Sequence, residues 1–361
     1  MMKKYIFLLF IIKLLTSCKQ NNKIEVNFLD EYVLKDSITF KNTIIGGLSG
    51  IDIFKNNFYI VVDDAKNPRF LKGSITIVED KIDTILFNNV QLLKDTLIPF
   101  YKNNYLDLES LFVNSTTSEI NFFSEGSVNK GNKPTVFVTD LNGQFKYEYE
   151  LPDSFQKLDN MHHNAVFEGA SKGVSKKGFW AIMEAPLKSD GEKPTFTKTQ
   201  SPVRLTYFDY QTKQATKQFA YQLEKITKPA KGNINLNGAT AILEYAKNKF
   251  FILERTYQNN YGANANIVRI FDAEINNTTT DILKTKSLKE SNYIPLKKRL
   301  IFNFEEVKEQ LTAGVIDNIE GIAFGPRLTN GRQSLILVSD DNFQVYGKQL
   351  NQFILMEIVK E

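Results

Sequence analysis

Apolar and polar positions alternate along this chain in a repeated pattern that is typical of β-hairpins. Each copy begins with an acidic or small polar residue, then Gly or Ser and an apolar run. A polar turn follows, and then a second apolar run that ends in Asp or Glu. The first copy runs from Ser49-Gly50-Ile51 to Val61-Val62-Asp63. Short runs rich in Val, Ile, Phe and Tyr between polar turns predict strands.

The pattern occurs five times, with openings at residues 49, 109, 168, 237 and 320, which are 60, 59, 69 and 83 residues apart. Hairpins repeated at such intervals, with further strands between them, are typical of β-propeller blades. We therefore predict an all-β propeller. Six blades are favoured, with the sixth closed by both chain ends, and five or seven are alternatives. Residues 304–311 are expected to form a short helical insertion.

The ends of these hairpins carry the candidate chemistry. In an antiparallel pair, the start of the first strand lies beside the end of the second, so Glu109 should lie near Glu125. Propeller symmetry would bring all such ends to one mouth of the channel. The acids that close the second strands should form a ring there, namely Asp63, Glu125, Glu184, Glu254 and Asp340. Glu109, Glu168 and Glu320 should support this ring from beside it.

Carboxylates this close cannot all remain ionised without a counter-charge, which basic side chains or a hard cation could supply. Arg69, Arg204, Arg255 and Arg327 lie in or near the modules. Ca²⁺ takes six to eight oxygen ligands and would suit such a rim. Zinc is poorly served, because Cys18 is the only cysteine and the adjacent His162 and His163 are the only histidines.

Composition limits the classes of partner. The 361 residues are 42% hydrophobic and 24% charged, as in an ordinary folded domain. The 45 Lys and Arg against 41 Asp and Glu give a net charge of +4, too balanced to indicate nucleic-acid binding. We expect a monomer without a nucleic-acid partner.

The N-terminal sequence is typical of an export signal. Lys3 and Lys4 precede an apolar run, 5–15, that is too short to span a bilayer. It ends in Leu15-Thr16-Ser17-Cys18, which resembles the bacterial lipobox. We predict a lipoprotein signal peptide at 1–17, lipidation of Cys18, a polar tether at 18–30 and the propeller at 31–361. The protein would be exported and held at the cell envelope through its lipid alone.

Several segments in succession resemble one known family. They include 47–52, 107–111, 164–169, 317–323 and 338–343. Together they resemble the bacterial phytase-like domain family, whose members are labelled "esterase-like activity of phytase", over 45–357. Two departures are Ser110, where glycine is usual, and Asn237-Gly238-Ala239, where the fourth module has no acid.

The resemblance implies chemistry as well as fold. The family is similar to β-propeller phytases, in which carboxylates at one mouth hold calcium ions that bind phosphate. By this resemblance the five ring acids would be the metal ligands, with Arg69 and Arg255 as phosphate partners. Glu109, Glu168 and Glu320 form the candidate catalytic set. The implied activity is calcium-dependent hydrolysis of a small phosphorylated substrate at the cell envelope.

Two other functions stay open. Ser49 lies in Gly46-Gly47-Leu48-Ser49-Gly50, which resembles a nucleophile elbow but lacks its last glycine, since Ile51 stands there. A carboxylic-ester or phosphodiester esterase, using Ser49 or metal-bound water, is one alternative. A non-enzymatic ligand-binding propeller with a structural ion is the other.

Overall fold

Strands account for about half of the described residues. The computed structural model describes residues 23–95 and 97–360. The predicted signal peptide and Cys18 lie outside the described residues. Strand β1 (Ile24–Leu34) precedes a small hairpin of β2 (Thr39–Phe40) and β3 (Thr43–Ile44).

Four antiparallel sheets follow, each built from four consecutive strands that run outward from the channel. The first contains β4 (Leu48–Phe54), β5 (Asn57–Val62), β6 (Arg69–Val78) and β7 (Lys81–Leu92). The second contains β8 (Leu108–Asn114), β9 (Glu119–Ser124), β10 (Thr135–Thr139) and β11 (Phe145–Glu148). The third contains β12 (Phe167–Lys172), β13 (Gly178–Met183), β14 (Pro202–Asp209) and β15 (Gln214–Gln222). The fourth contains β16 (Asn235–Ala246), β17 (Lys249–Gln258), β18 (Asn266–Glu274) and β19 (Lys297–Asn303).

The fifth sheet joins the two ends of the chain. It contains β20 (Asn318–Arg327), β21 (Gln333–Asp340) and β22 (Asn351–Lys360), with β1 as its outermost strand. Strand β1 pairs antiparallel to β22, with Ile24 opposite Lys360 and Leu34 opposite Asn351. The propeller therefore has five blades, one of the numbers that the sequence allowed, and not the favoured six.

The sixth blade was expected because the later modules lie further apart. Those additional residues form connections instead. Residues 275–296 run along the outer edge of the third blade, where the N–H groups of Ile282 and Leu296 donate to the carbonyls of Gln218 and Ala220 at 2.7 and 2.9 Å. This contact covers an edge strand that would otherwise present free backbone groups.

Helices are short in the described part of the chain. One α-helix, α1, spans Pro99–Asn103. The predicted insertion is a 3₁₀ helix, Phe304–Gln310, whose first turn is capped by the Asn303 side chain. Other 3₁₀ segments are Val128–Lys130, Asp153–Phe155, Leu158–Asn160, Gly262–Asn264, Thr312–Gly314 and Asn342–Gln344. A membrane-spanning helix is not found among the described residues.

The domain begins earlier than predicted. Strand β1 starts at Ile24, inside the segment 18–30 that we predicted as a tether. Ile24 and Val26 alternate with polar Glu25 and Asn27, and both apolar side chains are buried. The polar neighbours hide this period-two pattern, so the boundary predicted at residue 31 is wrong.

Removing β1 should therefore unfold the protein. Burial of Ile24, Val26 and Leu34 contributes about 1.5–3 kcal/mol each, which together approaches the 5–15 kcal/mol stability typical of a domain. A chain starting at Lys35 should show no cooperative thermal transition by circular dichroism, whereas one starting at Lys23 should melt like the full chain. Equal melting temperatures would contradict this role for β1.

Candidate functional site

A β-bulge recurs at the same place in all five innermost strands. The pairing register between the first two strands of each blade shifts between Leu48 and Ile51, and at matching points in the other blades. A bulge re-aims the inserted side chain. We call the inserted residues the floor positions, and they are Ser49, Glu109, Glu168, Thr240 and Glu320.

The floor positions correct the predicted opening of the fourth module. The residue equivalent to Glu109 is Thr240, not Asn237, because the register shift lies between Ala239 and Ala241. The Thr240 hydroxyl donates to the carbonyl of Ile319 at 2.9 Å. The fourth blade thus contributes a hydroxyl where three others contribute a carboxylate.

Small residues after the floor positions allow the inner strands to approach closely. A Cβ on Gly50 would lie 2.7 Å from the Cα of Ser110, and one on Gly169 would lie 2.9 Å from the Cα of Ala241. Contacts this short exclude a larger residue at either glycine. The glycines of the repeat therefore keep the channel narrow and crowd the floor carboxylates.

A second layer lies one step nearer the mouth. The backbone N–H groups of Asp63, Glu125 and Glu184 bond to the carbonyls of Gly47, Asp107 and Val166 at 2.8, 3.0 and 3.1 Å. In the fourth and fifth blades the equivalent pairings are Arg255 with Gly238 and Asp340 with Asn318. We call these residues the rim positions, and they are Asp63, Glu125, Glu184, Arg255 and Asp340.

Glu254 does not join the other predicted ring acids. It neighbours Arg255 in a strand, and adjacent side chains point to opposite faces. Its fully buried carboxylate accepts hydrogen bonds from Tyr221 and Lys298, both at 2.7 Å, and from Asn237 at 2.8 Å. Although burial opposes it, Lys298 and Arg269 lower the pKa of Glu254. The expectation that Glu254 faces the mouth is corrected, because the strand alternation turns Arg255 there instead.

Among the described residues, Arg69 forms no hydrogen bond or ion pair with a rim or floor carboxylate; it pairs with Asp64, one residue beyond the rim. Its guanidinium bonds to Asp64 at 2.6 Å and to the carbonyls of Asn67 and Ile44 at 3.0 and 3.3 Å. It also packs over the Phe343 ring, and the residue is 2% exposed. These contacts hold the loop after β5 and give Arg69 a structural role, and its phosphate contact stays a prediction.

Asp107 is a site residue that the sequence reasoning missed. Carboxylate oxygens of Asp63, Asp107 and Glu109 all lie within 4.8 Å of one another. The available signal was Asp107-Leu108-Glu109, since two acids one residue apart at a strand start point to the same side. The signal is weak because Asp107 precedes the repeated module. The residues at the equivalent position in the other blades are not acidic, and they are Gly47, Val166, Gly238 and Asn318.

The crowded carboxyls resist ionisation. Burial raises the pKa of Glu109, Glu168 and Glu320, and neighbouring acids add to this effect. Burial and Asp340 likewise raise the pKa of Asp63. Burial raises the pKa of Glu125 to about 8. The cluster therefore favours bound protons or a bound cation over a set of free negative charges.

Arg255 is the cation placed among these acids. Its Nη2 donates to Glu184 Oε1 at 3.0 Å, its Nη1 donates to Asn318, and Nη1 lies 3.7 Å from Glu320 Oε1. Gly238 makes room for this arrangement, because a Cβ there would lie 2.4 Å from the Cγ of Glu184. Arg255 neutralises the side formed by the third, fourth and fifth blades and leaves the side near Asp107 acidic.

Ser49 connects floor acids and is wholly buried. Its hydroxyl is 3.1 Å from Glu109 Oε2 and 3.2 Å from Glu320 Oε2. The described residues place no histidine among its hydrogen-bond partners. This arrangement does not support Ser49 as an activated nucleophile, which needs an adjacent base and access to substrate.

The donor set suits a hard cation. The group of Asp63, Asp107 and Glu109 offers only carboxylate oxygens, which Ca²⁺ and Mg²⁺ prefer over the nitrogen and sulfur ligands typical of zinc. Asp63 and Asp107 are half-buried, so the group is reached from the mouth. These residues can hold a cation where a ligand entering the channel would meet it.

Several solved structures are similar to this chain at low sequence identity. A family 43 glycoside hydrolase from a capybara gut metagenome matches at 10% identity and a TM-score of 0.43, covering 93% of this chain and 57% of that one. A Bombyx mori family 32 β-fructofuranosidase matches at 11% identity and a TM-score of 0.44, covering 88% of this chain and 62% of that one. The catalytic domain of a Coprinopsis cinerea family 62 α-L-arabinofuranosidase matches at 7% identity and a TM-score of 0.45, covering 92% of this chain and 97% of that one. The chain thus spans less than two thirds of the first two proteins.

Sequence comparison identifies the family. No curated protein sequence matches the chain. A family model does match, and it covers most of the segment, 45–357, in which the sequence resembles the family. That model, described as "Phytase-like: Esterase-like activity of phytase", covers residues 43–343, and the chain therefore belongs to this family.

Proposed function

We propose that this protein is a calcium-dependent phosphoester hydrolase whose cation is held at the acidic mouth of the channel. The observation that carries the proposal is the close approach of the Asp63, Asp107 and Glu109 carboxylates. Family membership supports hydrolase chemistry. The all-oxygen donor set supports calcium as the cation.

The ligands of the cation would come from both layers. Asp63, Asp107 and Glu109 form its first set, and Glu125 and Asp340 lie on the same rim. When bound, a divalent cation neutralises charge on a phosphoryl oxygen and makes water a better nucleophile near neutral pH. Side chains of the protein would bind the phosphate group and protonate the leaving oxygen.

Arg255 is placed to bind the phosphate group. Guanidinium groups bind phosphate oxygens through paired hydrogen bonds. Glu184 and Asn318 orient the group in the channel. Because Arg255 is already charged and held, binding a phosphate there costs little further ordering of the side chain.

Glu168 is the candidate proton donor to the leaving oxygen. It is buried at the floor, and burial followed by the charge of Glu184 raises its pKa well above the usual value. A carboxyl with a raised pKa holds its proton near neutral pH and can act as a general acid. Glu109 is instead one of the proposed cation ligands, and Glu320 is held by Ser49 and Asn318 at 3.2 and 2.9 Å, which leaves Glu168 as the acid of the catalytic set.

The setting of the reaction follows from the N-terminal sequence. Export by the signal at 1–17 and lipidation of Cys18 would place the enzyme at the cell envelope. Its substrate would be a small phosphorylated molecule that reaches the mouth from the surrounding solution. The lipid would be its contact with the membrane.

Asp107→Asn should weaken calcium binding by at least about tenfold, or 1.4 kcal/mol, and remove hydrolysis. The reason is the loss of one charged ligand from the group of three. Calorimetric titration with calcium and release of p-nitrophenol from p-nitrophenyl phosphate, with and without chelator, would measure both effects.

The matched control is Asp159→Asn, which removes an exposed acid outside the cluster and should change neither quantity. Unchanged calcium affinity and turnover in Asp107→Asn would overturn the assignment. Tight calcium binding by the wild type without hydrolysis of phosphomonoester, phosphodiester or acyl-ester substrates would indicate the non-enzymatic binding propeller.

Arg255→Gln should tighten calcium binding and raise KM for a phosphoester. Removing one positive charge several Å from a divalent ion stabilises the bound ion by roughly 1 kcal/mol in a high dielectric, whereas the substrate loses its anion contact. Calcium titration and steady-state kinetics would separate these opposite changes. Arg332→Gln, which removes an exposed arginine paired with Glu357 at the far end of the blade, should leave both quantities unchanged. A loss of calcium affinity in Arg255→Gln would refute this role.

Without calcium, the free energy of unfolding should fall as the pH rises from about 5 to about 8. The pKa of the cluster carboxyls is higher in the folded state than in the unfolded state. Below about pH 4.5 both states are protonated and the carboxyls cost no stability. The loss of stability is complete only above the folded-state pKa, which is about 8 for Glu125. Urea unfolding in chelator at several pH values would measure this decline.

With calcium bound, the free energy of unfolding should change little over this pH range. In chelator, Glu125→Gln should make its decrease with pH smaller than in the wild type. Asp159→Asn again serves as the control and should follow the wild type. A stability that stays constant or rises over this pH range in chelator would show that the carboxyls are not crowded as the structure has them.

A further inference from the structure

The N-terminal strand enters the propeller at the end opposite the mouth. Leu34, at the end of β1, pairs with Asn351, whose side chain donates to Asp341 at 2.9 Å. Asp341 directly follows the rim residue Asp340. Ile24, at the start of β1, pairs with Lys360 at the other end of the same sheet. The segment that precedes Ile24 therefore joins the face away from the mouth.

An ion pair spans the inner strands of three blades at that far face. Lys172, at the end of β12, bonds to both carboxylate oxygens of Asp52 in β4 at 2.7 and 2.9 Å. Strands β4 and β12 belong to the first and third blades, so this ion pair reaches across the channel past β8. Asp52 also accepts a hydrogen bond from the Val113 N–H of β8 at 2.8 Å.

The length of β1 limits how the domain can turn. Eleven residues at about 3.3 Å each make a strand of roughly 33 Å between the two faces. From Cys18 to Ile24 the chain can span at most about 21 Å, even fully extended. A lipid on Cys18 therefore cannot turn the mouth to face the bilayer, because the segment is shorter than the domain that it would have to pass.

We propose that the lipid-anchored protein holds its active mouth away from the bilayer, so that its substrates are water-soluble phosphoesters and not the phosphate groups of lipids in that bilayer. This inference rests on the proposed hydrolase function for its substrate class. The proposed orientation rests on the direction and length of β1 and on the position of the mouth.

The orientation can be measured without activity. The full lipidated chain on vesicles would carry one fluorophore on an introduced cysteine. In Tyr346→Cys the label lies in the exposed loop between β21 and β22 at the mouth, and in Lys176→Cys it lies in the exposed hairpin turn after β12 at the far face. Cys18, the other cysteine, would be blocked by its lipid.

We expect strong energy transfer to an acceptor lipid from residue 176 and loss of most of that transfer at residue 346. Equal transfer at both positions, or stronger transfer at 346, would overturn the orientation. Failure of the chain to associate with vesicles without added tags would overturn the anchor on which the orientation depends.

The substrate preference is tested with one reacting group in three settings. A nitrophenyl phosphate would be supplied free, coupled directly to a phospholipid headgroup in the same vesicles, or coupled through a poly(ethylene glycol) spacer longer than the domain. We expect turnover of the free and long-spacer forms and loss of turnover for the directly coupled form.

Hydrolysis of the directly coupled form at the rate of the long-spacer form would overturn the preference. If none of the three forms is hydrolysed, the proposed phosphoester hydrolysis has failed. The fluorescence result still decides the orientation in that case, so the two failures are distinguishable.

Discussion

Mutual repulsion between carboxylates that are forced together around a narrow channel is the constraint on which this site depends. Close approach of the inner strands, permitted by residues such as Gly50 and Gly169, sets the width of the channel. The repeated bulge then turns one side chain per blade into it. Burial and like charge raise the pKa of Glu109, Glu168 and Glu320. The folded protein therefore favours the binding of protons or a cation by these carboxylates.

The fourth blade breaks the symmetry of this arrangement. It places Thr240 at the floor and Arg255 at the rim, where other blades place acids. A fully acidic ring would hold cations without distinguishing one side from another. With Arg255 tied to Glu184 and Asn318, the acidic side near Asp107 can take a cation while the basic side can meet an anion. An ester that carries phosphate has the charge to use both sides.

Closure of the propeller links stability to the direction in which the site faces. One strand, β1, completes the fifth blade and so holds the ring of blades together. Because β1 runs toward the mouth, the same strand fixes the attachment point of the preceding segment at the opposite face. The ion pair of Lys172 and Asp52 joins the first and third blades at that face. Folding and orientation therefore share one structural element.

The sequence alone determined the all-β repeat, the family and the acids at most hairpin ends. These features depend on strand alternation and strand length, which are properties of neighbouring residues. Asp63, Glu125, Glu184 and Asp340 could be found in this way because each follows an apolar run directly or after one serine.

Only the tertiary structure decided the rest. The choice between Glu254 and Arg255 depends on a register that one residue reverses. The pairing of Ile24 with Lys360, which sets the number of blades, joins opposite ends of the chain. Asp107 lies with Asp63 and Glu109, and Arg69 pairs with Asp64. The pattern of apolar and polar residues along the chain predicts neither set of contacts. Register and closure are set by the packing of distant strands, and a pattern of neighbours along the chain does not contain them.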